Sequence, residues 1–204
     1  LRQLLNIDKR PILMTALKPM GETSIDLAQM ATTLVEGGID VIKDDHNLAN
    51  QVWAKWQERV ETISSAIEKA NNQFGTNAIY APSLNRPNDQ LLLSAKFAKE
   101  TGCKALLILP GICGFDAMRS IADNDEIALP ILSHPALLGS HVMNPNHGLS
   151  HAITFATLVR IAGGDFTIFP NQGGRFSFSL NECKSIVDSS LSKLGNIKPI
   201  SAAL

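Results

Sequence analysis

The chain has 204 residues, a net charge of −1 and 45% hydrophobic residues, values that are ordinary for a globular protein with one good-sized core and wrong for a disordered one. The small net charge and the 5% aromatic content disfavour binding to nucleic acid or to an anionic membrane surface. The apolar runs are much shorter than a membrane span, we expect no signal peptide, and the three widely spaced cysteines include no CxxC pair. We therefore expect a cytoplasmic protein with reduced thiols.

Short apolar runs alternate with segments of helical periodicity along the whole chain. In chain order, the pattern predicts strand 11–18, helix 24–36, strand 40–45, helix 51–72, strand 77–82, helix 87–100, strand 105–110, helix 115–122, strand 129–133, helix 148–162, strand 165–169, helix 180–194 and strand 197–204. Terminal signals agree with these limits, since Ser24 is a candidate N-cap and paired glycines follow two of the predicted helices, at 37–38 and 163–164.

This alternation predicts an α/β fold with a parallel sheet covered by helices. A doubly wound sheet is one solution, but it usually carries GxGxxG after its first strand, and that motif does not occur here. A (β/α)₈ barrel needs about 250 residues, so six strand–helix units and a seventh strand are what an incomplete barrel would show. We favour the barrel. Because the chain lacks an initial methionine and ends within a predicted strand, we interpret residues 1–204 as part of a longer protein.

Polar and ionisable residues follow the ends of five predicted strands. They are Lys18, the run Lys43-Asp44-Asp45-His46, Ser83 with Asn85, Ser133 with His134, and the segment 170–175. In a barrel the carboxyl ends of all strands meet at one rim, where catalytic residues are found. The sequence therefore predicts a chemical site at that rim.

The second predicted strand ends in a lysine, two acids and a histidine. Strand side chains alternate between faces, so Lys43 and Asp45 point to one side and Asp44 to the other. Lys43 and Asp45 could form a structural ion pair or a metal site. An ammonium group has no lone pair for a metal, but a lysine that carries a carbon dioxide adduct offers an anionic oxygen. With Asp45 that makes a hard site suited to Mg²⁺, whereas His46 would suit a softer divalent ion.

The other candidates also have plain structural interpretations. Lys18 could be a surface lysine, and His134 could be a hydrogen-bonded structural histidine. The segment "NQGGR", at 171–175, could be only a flexible loop. Its glycines and Arg175 could equally bind an anion through backbone N–H groups and a guanidinium.

The motifs "LKP" at 17–19 and "GGIDVIKDDHN" at 37–47 resemble the large subunit of ribulose-bisphosphate carboxylase (RuBisCO) and its RuBisCO-like relatives. The lead-in "RQLLNIDKRPIL", the long predicted second helix and "AGGDFTIFPNQGGRFSFS" extend the resemblance over nearly the whole chain. It implies that residues 1–204 form an incomplete (β/α)₈ barrel of the kind that makes up the C-terminal domain of RuBisCO large chains. The N-terminal domain and the end of the barrel would lie outside this chain.

The resemblance also implies roles for single residues. Lys43 matches the lysine that carboxylases carbamylate, and Asp45 matches a magnesium ligand. His46 stands where the family usually has a glutamate as third ligand. Lys18 matches the lysine that handles protons on the enolised substrate, and His134 matches an active-site histidine of the fifth strand.

Several carboxylase features are absent from the matching positions. Pro135 stands where carboxylases have a phosphate-binding arginine, residues 167–169 lack the histidine of the sixth strand, and the mobile loop has no evident catalytic lysine. We assign Asn171, Gly173, Gly174 and Arg175 of that loop to ligand binding. The pattern implies a RuBisCO-like protein of the form IV type.

The activity that the resemblance implies is Mg²⁺-dependent enolisation, isomerisation or carboxyl transfer on a phosphorylated ketose. A homodimer is also implied. Three alternatives stay open: a genuine carboxylase, a Schiff-base aldolase with a nucleophilic lysine, and a non-catalytic RuBisCO-like protein. We expect the 204 residues to be inactive by themselves.

Overall fold

The computed structural model describes residues 1–144, 146–176 and 178–203, which fall into two compact units, Leu1–Leu107 and Ile108–Leu204. The first unit contains α1 (Arg2–Leu5), β1 (Met14–Leu17), α2 (Ser24–Glu36), β2 (Val41–Asp44), α3 (Trp56–Phe74), β3 (Ile79–Ala81) and α4 (Leu91–Glu100). Strand β4 (Leu106–Ile108) lies at the division. The second unit contains α5 (Pro110–Cys113), α6 (Phe115–Ala122), β5 (Ile131–Ser133), α7 (Leu158–Ile161), β6 (Phe166–Ile168), α8 (Leu180–Leu191) and β7 (Ser201–Ala203).

All the strand pairs with a described register are parallel. One sheet has the order β1-β2-β3, and the other has the order β4-β5-β6-β7. Within each sheet, every strand is therefore next to the strand that follows it in the chain, and the connections between these strands carry the helices. The expected α/β fold with parallel strands is confirmed.

Helix α2 shows why the predicted limits are close to the observed ones. Thr23 and Asp26 form a capping box in which each side chain accepts a hydrogen bond from the backbone N–H of the other residue. The cap is thus Thr23, and the predicted N-cap Ser24 is wrong by one position because the Ser24 side chain is buried. The buried face consists of Leu27, Ala28, Ala31 and Val35, which have helical spacing.

Helix α3 begins at Trp56, five positions after the predicted start at Gln51. The side-chain oxygen of Asn50 accepts a hydrogen bond from the Trp56 N–H at 2.9 Å, so residues 51–55 form a loop that this contact closes. Val52 and Trp53, which fall within the predicted helix 51–72, are 81% and 45% exposed. The buried face of α3 starts at Trp56.

Other elements differ from the prediction mainly at their ends. The strands have three or four residues, a single turn of 3₁₀ helix at Asn88–Gln90 precedes α4, and the short helices α1 and α5 were not expected. The helix predicted at 148–162 is a π-helical turn, Ile153–Thr157, that continues into α7. The predicted start at residue 148 is wrong, because the Leu149 N–H donates a hydrogen bond to the His141 carbonyl and not to a helical partner. The last residue of the predicted strand 197–204 lies outside the described residues.

Each unit has its own apolar interior. In the first, the large buried side chains come from β1, β2, α2 and α3, among them Leu17, Ile42, Leu27 and Ile63. In the second, one cluster includes Leu138, Phe155, Phe169, Phe178 and Ile186. None of the helices in the described part of the chain is long and apolar enough to cross a membrane.

Candidate active site

Strand β2 places Lys43 in a buried position between two small residues. Its Cα partners are Ala16 on β1 and Ala81 on β3, so the long side chain is flanked by methyl groups on both sides. The residue is only 7% exposed. Its Nζ donates a hydrogen bond to the main-chain carbonyl of Asp44 at 3.2 Å.

Asp45, directly after β2, is the meeting point of the predicted site residues of the first unit. Lys18, which follows β1, places its Nζ 3.2 Å from Asp45 Oδ2. The Nδ1 atom of His46 lies 3.4 Å from Asp45 Oδ1, and the same Oδ1 accepts the N–H of Asn47 at 2.9 Å. The convergence has a simple cause, because β1 and β2 are adjacent and parallel, with Leu17 opposite Asp44.

The surroundings shift the pKa values of both Lys43 and Asp45. Burial lowers the pKa of the Lys43 ammonium, and the nearby carboxylates of Asp45 and Asp44 offset only part of that effect. Burial alone would raise the pKa of Asp45, but the Asn47 N–H and the Lys18 ammonium bring it below its usual value. Asp45 is therefore ionised at neutral pH. Lys43 loses its proton more readily than a surface lysine does, because its pKa is lowered.

The two interpretations of the Lys43–Asp45 pair can now be compared with the geometry. Lys18 supplies the ion pair with Asp45, and Lys43 donates to a main-chain carbonyl instead. In the described parts of the chain, no group of three or more His, Cys, Asp and Glu side chains is arranged to hold a metal ion. Asp45 and His46 offer two adjacent donors. The donor set thus fits a divalent cation when Lys43 contributes a carbamate oxygen as the third.

Sequence reasoning missed a buried polar network that lies on the other face of β2. Asp44 is fully buried, and its carboxylate accepts hydrogen bonds from the Tyr80 hydroxyl at 2.6 Å, from the Ser83 N–H at 2.9 Å and from Arg59 Nη2 at 3.1 Å. Burial, followed by the Asp44 charge, raises the pKa of Tyr80 well above its usual value, so the phenol stays a donor. Asp44 is therefore an anchor for the end of β2.

Arg59 of α3 connects this anchor to the loop that follows β2. Its guanidinium donates to the carbonyls of Ala54 at 2.8 Å, Ala49 at 3.0 Å and Leu48 at 3.3 Å. Arg59 is itself fully buried. The sequence does contain a signal for this network. Arg59 lies among the apolar residues of the buried face of α3, where an arginine needs a buried partner.

The second unit contains the remaining predicted site residues. The N–H of His134 donates to the Ile108 carbonyl at 2.9 Å, and His134 Nδ1 accepts the N–H of Ala136 at 3.2 Å. This bond makes Nδ1 an acceptor, so the neutral ring carries its proton on Nε2. The half-buried imidazole of His134 is thus held in one orientation at the end of β5.

The loop after β6 contains Asn171, Gly173, Gly174 and Arg175, all of which are exposed. Gly173 has a φ of +72°, which favours glycine. A Cβ at Gly174 would meet the side-chain oxygen of Asn171, so a larger residue there would require the exposed Asn171 side chain to move. The Arg175 guanidinium lies over the Phe176 ring, 5.5 Å from its centroid. The structure brings Asn171 and Gly174 together, and the binding role of these residues stays a prediction.

Comparison with known proteins identifies a clear set of relatives. The family model of the ribulose bisphosphate carboxylase large chain, catalytic domain, matches residues 1–173. A 5-methylthioribulose-1-phosphate isomerase of Rhodospirillum rubrum is 33% identical over 189 residues, which are 92% of this chain and 48% of the relative. A 2,3-diketo-5-methylthiopentyl-1-phosphate enolase of Bacillus licheniformis is 33% identical over 181 residues, 88% of this chain and 45% of the relative.

Solved structures agree with the sequence matches. The crystal structure of a Rubisco-like protein from Rhodopseudomonas palustris superimposes with a TM-score of 0.90 at 30% identity, over 98% of this chain and 55% of that one. The α/β fold with parallel sheets is therefore the fold of these proteins. The chain spans about half the length of the relatives that it matches.

Proposed function

The chain belongs to the ribulose-bisphosphate carboxylase large-chain family, and we propose that its protein is a RuBisCO-like enzyme that enolises or isomerises a phosphorylated ketose with a divalent metal ion. One observation carries this proposal: Lys18, Asp45 and His46 meet at the ends of β1 and β2, beside the buried Lys43. Relatives at 33% identity are named as an isomerase and an enolase of sulfur-containing sugar-phosphate compounds. Enolisation is a proton transfer next to a carbonyl group, and it is the reaction named for the second relative.

The metal site that we propose consists of Asp45, His46 and a carbamate on Lys43, with Mg²⁺ as the ion. Carbamate formation joins Lys43 Nζ to the carbon of carbon dioxide and releases one proton from the nitrogen to solvent. Only the neutral amine reacts, so the burial that lowers the pKa of Lys43 favours this step. When bound, the ion would stabilise the negative charge that develops on the substrate oxygens during enolisation.

Lys18 is the residue that we propose for the proton transfer. Its amine, in the neutral form, takes the proton from the carbon next to the carbonyl group, and the electron pair of the broken C–H bond moves into the enediolate. The Lys18 side chain is 63% exposed and reaches the buried Asp45 from outside. It can therefore reach a substrate that enters from the solvent side.

We also propose ligand-binding roles for His134 and for the loop after β6, which belong to the second unit. An imidazole whose Nδ1 accepts a backbone N–H presents Nε2 as a donor, which suits contact with a substrate oxygen. Gly173, Gly174 and Arg175, with Asn171, would bind the phosphate through backbone N–H groups and a guanidinium. These roles are assigned from sequence and local geometry.

Carbon dioxide fixation fits this chain less well than enolisation. According to the resemblance, Pro135 stands in place of a phosphate-binding arginine of carboxylases, and the loop that contains Gly173-Gly174-Arg175 has no evident catalytic lysine. Carboxyl transfer within a sugar phosphate would use the same enolisation step. We therefore place the substrate among phosphorylated ketoses. A sulfur-containing pentulose phosphate is the first to test, because one relative is named as an isomerase of 5-methylthioribulose 1-phosphate.

The test is proton exchange in the full-length protein. With Mg²⁺ and bicarbonate in D₂O, ¹H NMR should show loss of the signal from the proton next to the carbonyl of 5-methylthioribulose 1-phosphate. Lys18→Ala and Lys43→Ala should each lower the exchange rate by at least about 10²-fold, while Lys9→Ala, a change at an exposed lysine of the same unit, should leave it unchanged.

Three results would contradict the proposal. Exchange that continues unchanged after the metal is removed with a chelator would exclude the metal role. Covalent trapping of the substrate on Lys18 or Lys43 by borohydride would show a Schiff base and favour the aldolase alternative. A protein that binds neither metal nor sugar phosphate would be non-catalytic.

We also propose that the full-length protein is a homodimer, as the resemblance implies. Analytical ultracentrifugation of the full-length protein should give twice the mass of one chain. A monomer at micromolar concentration that still turns over the substrate would exclude a requirement for the dimer.

A further inference from the structure

Ser83, just beyond β3, has a fully buried hydroxyl without a hydrogen-bond partner. Ser83 is 0% exposed. In the described part of the chain, only a few buried side-chain polar atoms lack a hydrogen-bond partner, and Ser83 Oγ is one of them. A buried polar group that makes no hydrogen bond costs about 1–3 kcal/mol. Such a group in a native structure requires an explanation, for example a ligand that it binds.

The backbone of Ser83 is held on both sides by buried partners. Its N–H donates to Asp44 Oδ2 at 2.9 Å, and its carbonyl accepts the indole N–H of Trp56 at 2.7 Å. Trp56 is 1% exposed and Asp44 is fully buried. The main chain at Ser83 is therefore held by contacts that leave its hydroxyl available for another partner.

The register of the sheet places Ser83 beside the proposed carbamate site. Lys43 is opposite Ala81, and Ser83 is two positions further along an extended segment that bridges to Leu107. Residues two apart in an extended strand share a face. Ser83 thus lies on the face of Lys43, one step closer to the strand ends.

Asp44 and Tyr80 mark the opposite face of the same strands. Their side chains bond to each other and to Arg59 of α3, so this face of the sheet is turned to that helix. The Ser83 hydroxyl is separated from this network by the sheet itself. A group that binds this hydroxyl would therefore lie on the Lys43 face, where Ala16 and Ala81 offer no polar side chain. The Asp45 carboxylate on that face already contacts Lys18 Nζ and the Asn47 N–H.

We propose that the Ser83 hydroxyl donates a hydrogen bond to a carbamate oxygen on Lys43 and so holds this group in position. The inference rests on the proposed function, since it assumes that Lys43 reacts with carbon dioxide. The unmodified Lys43 ammonium is a donor and has no oxygen to accept this bond. Ser83 is a positioning residue in this arrangement and does not contact the reacting atoms of the substrate.

The test is carbamate formation, measured by ¹³C NMR on the full-length protein with Mg²⁺ and ¹³C-bicarbonate. Lys43→Ala identifies the carbamate signal by removing it. Ser83→Ala should weaken the apparent affinity for carbon dioxide by about tenfold or more, because a hydrogen bond to a charged group is lost. Ser83→Thr keeps the hydroxyl and should retain most of the affinity.

Ser24→Ala is the matched control. Ser24 is also a fully buried serine with an unpaired hydroxyl, but it lies at the start of α2. It should leave the carbamate signal unchanged. Equal carbon dioxide affinity in the wild type and Ser83→Ala, or an equal loss in Ser24→Ala, would overturn the inference while leaving the proposed function intact. A wild type without any carbamate would overturn both, and the two failures are thereby distinguished.

Discussion

Lys18 Nζ lies 3.2 Å from Asp45 Oδ2, so the proposed proton-transfer lysine is paired with the proposed metal ligand. Asp45 is buried, with 4% of its side chain exposed, whereas 63% of the Lys18 side chain is exposed. A divalent cation on Asp45 would compete with the ammonium group for the same oxygen. Binding of a metal would therefore release the Lys18 side chain, which could then turn towards the substrate and act as a base after its ammonium has lost a proton to solvent.

Removal of Lys18 should strengthen metal binding. In Lys18→Met the carboxylate of Asp45 loses a competing cation, and the bound metal loses a repelling charge. Because the pair is largely exposed on the lysine side, the expected gain in Mg²⁺ affinity is only about threefold to fivefold. Isothermal titration calorimetry at fixed ionic strength measures it, and enolisation should fall sharply in the same variant.

Lys9→Met is the control for this prediction, because Lys9 is an exposed lysine of the first unit. It should change neither the metal affinity nor the activity. A Lys18→Met variant with weaker metal binding than the wild type would show that Lys18 supports the site and does not compete with the ion.

His46 should determine which metal the site prefers. Its Nδ1 lies 3.4 Å from Asp45 Oδ1, and imidazole suits softer divalent ions than carboxylate does. Replacement by the acid that the family usually has, His46→Glu, should shift the ratio of Mg²⁺ to Ni²⁺ affinity towards Mg²⁺ by about tenfold or more, equivalent to about 1.4 kcal/mol. Competition dialysis of the two ions measures the ratio.

His141→Glu introduces the same charge at an exposed histidine elsewhere in the chain and should leave the ratio unchanged. If His46→Glu and wild type show the same preference, His46 is not a ligand. The third donor would then have to come from another group.

The meeting of Lys18, Asp45 and His46 could be predicted because it depends on local rules. Strand ends follow from apolar runs that stop at polar residues, and adjacent parallel strands place those ends together. The capping box at Thr23 was missed by one position, because Thr23 and Ser24 are both good N-caps. Such an error moves a boundary and leaves the fold unchanged.

The Asp44 network could not be predicted, because it depends on partners distant in sequence. Tyr80 and Ser83 are 36 and 39 positions away from Asp44, and no periodicity connects them. The late start of α3 has a similar origin, since the loop before Trp56 is held by the guanidinium of Arg59 and by Asn50. The sequence shows these side chains but not their contacts.

The Asp44–Arg59 pair should contribute strongly to stability. Arg59→Met leaves the Asp44 carboxylate buried without its counter-charge, and three carbonyls lose a donor, so we expect a loss of about 3–5 kcal/mol in the free energy of unfolding. Tyr80→Phe removes one hydrogen bond and should cost about 1–2 kcal/mol. Urea denaturation measures both changes.

Arg119→Met breaks an exposed pair, Arg119–Asp123, whose side chains are 61% and 67% exposed, and should cost no more than about 1 kcal/mol. A loss in Arg59→Met as small as that in Arg119→Met would contradict the anchoring role of the buried network.

The Arg10–Asp40 pair should make stability depend on pH in the acid range. Two short hydrogen bonds from Arg10, each 2.6 Å, and one from the Leu13 N–H hold the pKa of Asp40 below its usual value. A carboxyl with a lowered folded-state pKa stabilises the fold fully above its unfolded-state pKa of about 3.9. That contribution is lost as pH falls through the lower folded-state value, because the unfolded chain then binds the proton more readily. Urea denaturation from pH 6 to pH 3 should therefore show a smaller acid loss for Asp40→Asn than for wild type, with the exposed Asp8→Asn as control. Equal acid slopes in wild type and Asp40→Asn would mean that Arg10 does not hold the carboxylate in solution.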